Sequence, residues 1–119
     1  DAFLIKENHI AAAGGIAQAI ITARHNAAHL PVEVEVETVE QVKEALTAEA
    51  DRLLLDNFTC SQLREAVALV QGKVKLEASG GITKESIRAI AETGIDFISV
   101  GAMTKNVQAI DLSMRMQTE

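Results

Sequence analysis

The sequence predicts an α/β chain built as a partial, incomplete parallel β/α barrel, and three observations predict it. Strand-like and helix-like stretches alternate five times with short connections, the pattern of right-handed βαβ units on a parallel sheet. Most of the strand-like stretches carry charge on one face only, whereas a doubly wound sheet, covered by helices on both sides, reads as continuous apolar runs. A complete eightfold barrel takes about 250 residues, and this chain has 119. Five strands cannot close, so the open edges require further strands from elsewhere in the protein or from another chain. The chain begins at Asp1 directly in strand-like sequence and reads as a piece of something longer. Residues 1–119 read as one unit, since no spacer or composition shift divides them.

Each element has its own signature. Residues 2–8 alternate as a first strand. Gly14-Gly15 opens an Ala/Ile-rich helix over 16–28, closed off by Pro31. Val32-Glu33-Val34-Glu35-Val36-Glu37 is the clearest strand, because a period of two lines the three carboxylates along one face, each roughly 7 Å from the next. Thr38 with Gln41 is a capping-box signature at the head of a helix reaching about residue 49. A short strand spans 52–56. Thr59 with Gln62 repeats the box, and that helix runs to about residue 71 with Gly72 as its stop. A strand over 74–79 ends in the tight turn Gly80-Gly81, Thr83 caps a helix to residue 93, and a fifth strand over 97–100 ends in Gly101. A helical turn over 104–108 and a last extended piece over 112–116 close the chain.

These phases sort the faces. One face holds Lys6 with Asn8, the three glutamates, Arg52 with Asp56, Lys75 with Glu77 and Ser79, and Ser99 with Gly101. Opposite lie Phe3 and Ile5, the valines, Leu53 and Leu55, Val74, Leu76 and Ala78, and Ile98 and Val100. Helices would cover the apolar side, turning a charged side inward, where cations on neighbouring strands answer the glutamates.

Composition narrows the function. A net charge of -6 argues against nucleic acid as the partner, since phosphate-backbone binding needs a basic stripe. Phe3, Phe58 and Phe97 are too few rings for a base-stacking platform. Apolar runs are short and broken by charge, so no membrane-spanning helix is expected, and no signal-peptide pattern opens the chain. Lone Cys60 has no partner for an internal disulfide, which fits a reducing, cytoplasmic setting.

In βα architectures the chemistry lies at the carboxyl ends of the strands. Those ends are Lys6-Glu7-Asn8-His9, Glu35 to Glu37, Asp56-Asn57, Ser79-Gly80-Gly81 and Gly101-Ala102. Glycine turns at helix starts offer backbone N–H groups to an anion, so both glycine turns are candidate phosphate cradles; Gly80-Gly81 reads equally well as ordinary turn chemistry. Glu35 and Asp56 fall on neighbouring strands as oxygen ligands of the kind Mg²⁺ takes beside substrate phosphates. The alternative is that Asp56 caps a loop and Glu35 pairs with Lys6 or Lys75. His25 and His29 have a zinc-like spacing with no third ligand and read as a solvated face. His9 reads as a loop hydrogen-bonding group, and Cys60 as structural, because no His or Lys stands by to activate it. Met103, Met114 and Met116 read as core or interface filling.

Five motifs then occur in order: Leu4-Ile5-Lys6-Glu7-Asn8-His9-Ile10, VEVEVE, Leu54-Leu55-Asp56-Asn57-Phe58, Leu76-Glu77-Ala78-Ser79-Gly80-Gly81-Ile82-Thr83, and Ile98-Ser99-Val100-Gly101-Ala102-Met103-Thr104. The set resembles the carboxyl-terminal barrel portion of the quinolinate phosphoribosyltransferases, also called nicotinate-nucleotide pyrophosphorylases (carboxylating), over essentially the whole chain. Leu112-Ser113-Met114-Arg115 is similar to that family's closing strand. The resemblance implies an open, TIM-barrel-like fold and a pentosyltransferase that joins quinolinate to phosphoribosyl pyrophosphate with Mg²⁺. The products would be nicotinate mononucleotide, pyrophosphate and CO₂, in the synthesis of NAD. It also implies a cytoplasmic homodimer or larger homo-oligomer, with neither nucleic acid nor membrane as partner.

By motif, the resemblance implies that Lys6 meets the quinolinate carboxylates or the phosphates. Glu35 and Asp56 would serve the ribose hydroxyls and the metal-pyrophosphate, and Ser79, Gly80 and Gly101 would cradle the 5′-phosphate. Many relatives carry His four residues after the last strand's glycine, where this chain has Lys105. A basic, substrate-binding residue is retained there without an implied proton-transfer role. The family's amino-terminal domain and first arginine-rich barrel segments are expected to lie outside these residues, and the acidic balance fits that: the acids of the site are here and most of its bases are not. On its own the chain is expected to be inactive. The alternatives are a non-catalytic phosphate-binding or self-assembling product, and a related barrel enzyme with another acceptor.

Overall fold

Alternation decides which side of each strand is covered. The computed structural model describes residues 2–100 and 108–111. In β1 (Phe3–Ile5) Ile5 is buried. In β2 (Val32–Val36) all three valines are fully buried while Glu33 and Glu35 stay half-buried. β3 (Arg52–Asp56) buries Leu53 and Leu55, β4 (Lys75–Ser79) buries Leu76 and Ala78, and β5 (Phe97–Val100) buries Ile98. Each such Leu or Ile contributes about 2 kcal/mol by leaving water. With β6 (Gln108–Asp111) these strands form one sheet in the order β1-β2-β3-β4-β5-β6.

β1 to β5 are all parallel. A parallel sheet whose spatial order equals its chain order is wound one way, because right-handed crossovers put the helices on a single face. A doubly wound sheet reverses its order part-way. The arrangement is therefore a stretch of barrel wall.

The helices are α1 (Glu7–Ala13), α2 (Ile16–Asn26), α3 (Val39–Thr47), α4 (Cys60–Val70) and α5 (Ile87–Ala91). Ile16, Ile20 and Ala23 of α2, Val42 and Ala45 of α3, Leu63 and Ala66 of α4, and Ile90 of α5 join the strand side chains in one core. Thr59 caps α4 reciprocally: its Oγ1 accepts from the Gln62 N–H at 3.1 Å, and Gln62 Oε1 accepts from the Thr59 N–H at 2.9 Å. Thr38 Oγ1 likewise accepts from the Gln41 N–H at 3.1 Å at the start of α3. One register device occurs twice. The Asp51 carboxylate accepts the Val32 N–H at 2.7 Å while the Asp51 N–H donates to the Val32 carbonyl at 2.9 Å. Asp96 and Leu76 repeat this between β4 and β5, at 2.8 and 3.0 Å. The rows of the sheet are thus pinned at the entry to β3 and again at the entry to β5.

Several expectations are corrected. β1 ends at Ile5, and Glu7 and Asn8 belong to α1, so Asn8 does not share a strand face with Lys6. The His9 Nδ1 accepts the Lys6 N–H at 3.1 Å and the run Ala11-Ala12-Ala13 follows, a cap and a strong helix former together. After Thr83 the helix is short, yet Thr83 still caps the turn before it: its Oγ1 accepts from the Ser86 N–H at 3.3 Å and its carbonyl from the Ile87 N–H at 3.0 Å. Val100, expected on the covered face, is 37% exposed at the strand's end. Gln108, expected in a helical turn, starts β6, which runs antiparallel to β5. A connection spanning only residues 101–107 is too short for a parallel crossover, which takes a dozen or more residues. The expected final strand over 112–116 lies outside the described residues. No described helix is long and apolar enough to cross a membrane.

Candidate active site

The uncovered face carries charged side chains in two layers. The lower layer centres on Arg52, opposite Glu33 in the β2–β3 register. Its Nη2 lies 2.5 Å from Glu77 Oε1 on β4, and its Nε lies 3.3 Å from Glu33 Oε2, at ion-pair distance without hydrogen-bond alignment. The guanidinium sits 4.1 Å from the centre of the Phe97 ring, a cation–π contact. The second Glu77 oxygen accepts from Ser99 Oγ. Burial pushes the Glu33 carboxyl above its ordinary value, the Glu77 charge adds to that, and Arg52 opposes both. Lys75 takes no part and lies 4.0 Å from Asp96.

The upper layer is the rim where the strands end. Ile5 lies opposite Val34, which brings Lys6, at the head of α1, level with Glu35. Burial raises the Glu35 carboxyl above its ordinary value; Asp56 raises it further, Lys6 pulls it back, and Glu37 and Glu7 add to the rise. Asp56 ends β3 opposite Ser79, and Ser79 Oγ donates to Asp56 Oδ1 at 3.5 Å. Asn57, in the left-handed region at φ +58, donates its N–H to the Ser79 carbonyl at 3.0 Å. Gly80 follows at φ +84, where a Cβ would stand 2.6 Å from Asn57 Oδ1 and 2.7 Å from Asp56 Oδ1. Glycine takes that backbone freely, and any other residue would be strained and would displace those side chains.

Of the residues the sequence singled out, Lys6, Glu35, Asp56, Ser79 and Gly80 meet at this rim; Gly101 and Lys105 lie outside the described residues, as do the three methionines. Glu35 has Lys6 as its neighbouring cation. His25 and His29 are exposed, Cys60 packs half-buried against the core, and His9 serves the backbone of Lys6. Sequence reasoning missed the joined Arg52, Glu77, Ser99 and Phe97. Alternation had already put Arg52, Glu77 and Ser99 on the polar face, but only strand register brings positions 25 apart together.

Among the described residues no group of three or more His, Cys, Asp or Glu gathers as a metal cluster. Glu35 and Asp56 offer hard oxygen donors from two carboxylates, the protein share that suits a magnesium ion otherwise held by water and phosphate. A cleft of about 330 Å³ lies on the helix side of β1, lined by Phe3, Ile5, His9, Ala12, Ala13, Ala19, Thr22 and Ala23. It holds none of these acids.

The family profile described as "Quinolinate phosphoribosyl transferase, C-terminal domain" matches residues 1–115. The chain belongs to this family. It is 45% identical over 115 residues to the probable nicotinate-nucleotide pyrophosphorylase [carboxylating] of Bacillus subtilis, covering 96% of this chain and 40% of that protein. Among solved structures, the nicotinate-nucleotide pyrophosphorylase from Francisella tularensis superposes with a TM-score of 0.84 at 52% identity, over 93% of this chain and 40% of that one. The enzyme from Ehrlichia chaffeensis gives 0.83 at 41% identity, with the same coverage. The chain thus spans about 40% of the length of the relatives it matches.

Proposed function

We propose that the protein carrying this chain transfers the phosphoribosyl group of phosphoribosyl pyrophosphate to quinolinate, with loss of CO₂, to give nicotinate mononucleotide in NAD synthesis, and that residues 1–119, the carboxyl-terminal part of its barrel domain, supply the metal and phosphate half of the site. One observation carries the reading: Lys6, Glu35, Asp56, Ser79 and Gly80 meet at one rim of a sheet that belongs to this family. As pyrophosphate leaves with its bonding electrons, the ribose carbon becomes electron-poor, and the carboxylates of Glu35 and Asp56, both half-buried at the rim, stabilise that charge. The ring nitrogen of quinolinate bonds to that carbon and becomes cationic, so when CO₂ departs the electron pair left on the adjacent ring carbon is stabilised by that charge until the carbon takes up a proton from water. Lys6 holds the diacid in register until then. The Ser79 hydroxyl and the N–H groups of the Gly80-Gly81 turn receive the 5′-phosphate, with Gly101 and Lys105 assigned to the same phosphate and substrate.

Glu35 and Asp56 would hold Mg²⁺, which when bound neutralises the leaving pyrophosphate. The protein is assigned to the cytoplasm as a homodimer or larger homo-oligomer. The edge of β1, unpaired among the described residues, supports completion of the wall by chain from outside this region. In the full-length protein, Glu35→Ala or Asp56→Ala is expected to lower kcat/KM about 100-fold or more. The 119-residue chain alone is expected to show no turnover. Steady-state assays of nicotinate mononucleotide formation check both, and wild-type rates in either variant would overturn the assignment.

A further inference from the structure

The turn Ser79-Gly80-Gly81 leaves the end of β4, and the two flanks of that end are held differently. Towards β3, backbone pairing runs the full length, from Arg52 opposite Lys75 to Asp56 opposite Ser79, and the Asn57 N–H adds a bond to the Ser79 carbonyl. Towards β5, the register comprises only Glu77 opposite Phe97 and Ala78 opposite Ile98. It stops short of the turn. Ser99 already pairs on its other side, opposite Ala109 of β6. A side-chain bond also ties β4 to the end of β5, Ser99 Oγ donating to Glu77 Oε2, with the two residues 9% and 8% exposed. The other Glu77 oxygen is held by Arg52 at 2.5 Å, and Arg52 is itself held by Glu33 and the Phe97 ring. A carboxylate engaged at both oxygens has one orientation left to it.

We infer that Glu77 is a positioning residue: braced by Arg52, it holds Ser99 and so sets the gap between the ends of β4 and β5 from which the Ser79-Gly80-Gly81 turn meets a phosphate. Glu77 touches no substrate in this scheme and acts through the strand that carries the turn. The inference rests on the phosphate-binding reading of the turn given above. Arg52 matters because it neutralises Glu77 from below, which leaves the carboxylate free to accept from Ser99 instead of repelling Glu33.

Ribose 5-phosphate binding to the full-length protein, measured by calorimetry beside urea midpoints, tests it. Ser99→Ala leaves the Arg52–Glu77 pair in place and is expected to weaken binding about tenfold, the scale of one hydrogen bond to a charged group. Ser99→Thr, which keeps the hydroxyl, is expected to stay within about twofold of wild type, and Glu77→Gln to fall between the two. A merely structural bond would lower the urea midpoint of Ser99→Ala and leave the affinity of the folded protein unchanged. That result, in a wild-type protein that binds ribose 5-phosphate, overturns the inference and leaves the phosphate reading standing. A wild-type protein with no affinity for ribose 5-phosphate overturns both.

Discussion

The lower and upper layers of the uncovered face are both rich in acid, and they treat their charges in opposite ways. Below, Glu33 and Glu77 share the Arg52 guanidinium, and Glu77 uses its remaining oxygen on Ser99. Above, Glu35 and Asp56 each stand near the other's negative charge, with Lys6 as the cation beside them, and among the described residues neither forms an ion pair. Charges that hold strands together are answered within the chain. Charges left unanswered at the rim are destabilising unless something cationic arrives, and sites kept for chemistry commonly carry that cost.

Variants can break this contrast. The largest expected effect is the loss of about 100-fold in kcat/KM for Glu35→Ala or Asp56→Ala, with unfolding free energies within about 0.5 kcal/mol of wild type, as for residues outside the core. Arg52→Met should do the reverse in kind, lowering stability by about 2–3 kcal/mol because two poorly hydrated carboxylates lose their shared cation; urea unfolding measures it, and a change below about 0.5 kcal/mol would show that the lower layer holds nothing. Gly80→Ala crosses the layers. Its left-handed backbone costs about 1–2 kcal/mol, and the added methyl presses on Asp56 and Asn57, so stability and phosphate affinity should fall together.

The smallest effect concerns pH. Burial and Asp56 raise the Glu35 carboxyl above its ordinary 4.5, so between that value and the raised one the folded state binds more protons than the unfolded state. Stability contributed by this group is therefore fully present below 4.5 and is lost as pH rises through the raised value. Glu35→Gln, which mimics the protonated form, should be the more stable protein at neutral pH, with the gap closing on acidification. Urea midpoints across that range check the sign. A variant that tracks wild type at every pH would mean that Glu35 carries no such cost.

Legibility followed locality. β3 and β5 were readable to the residue, because alternation is a property of five neighbouring positions, and the boxes at Thr38 and Thr59 announced α3 and α4. That Lys6, Glu35, Asp56, Ser79 and Gly80 gather at one rim was readable because parallel βα units bring the carboxyl ends of their strands to the same edge. α1 was not, since Lys6 and Asn8 alternate like a strand, while the turn into the helix depends on bonds such as that from the Lys6 N–H to His9 Nδ1. The Arg52–Glu77–Ser99 chain was hidden for another reason. Its members come from three strands, and nothing short of the register set by Asp51 and Asp96 says that they touch.

The division of each strand between a covered and an uncovered side has a consequence for how such a chain can change. Substitutions at Glu35, Asp56 or Ser79 alter what the molecule can hold while leaving the packing of Val34, Leu53 and Leu76 untouched, so new chemistry can be tried on an old frame. An insertion or deletion of one residue inside β2 has no such freedom, because it sends carboxylates into the oily layer and valines to the rim in a single step. Descent with modification in this wall should therefore proceed by replacement within strands, with length varying only in the loops between them.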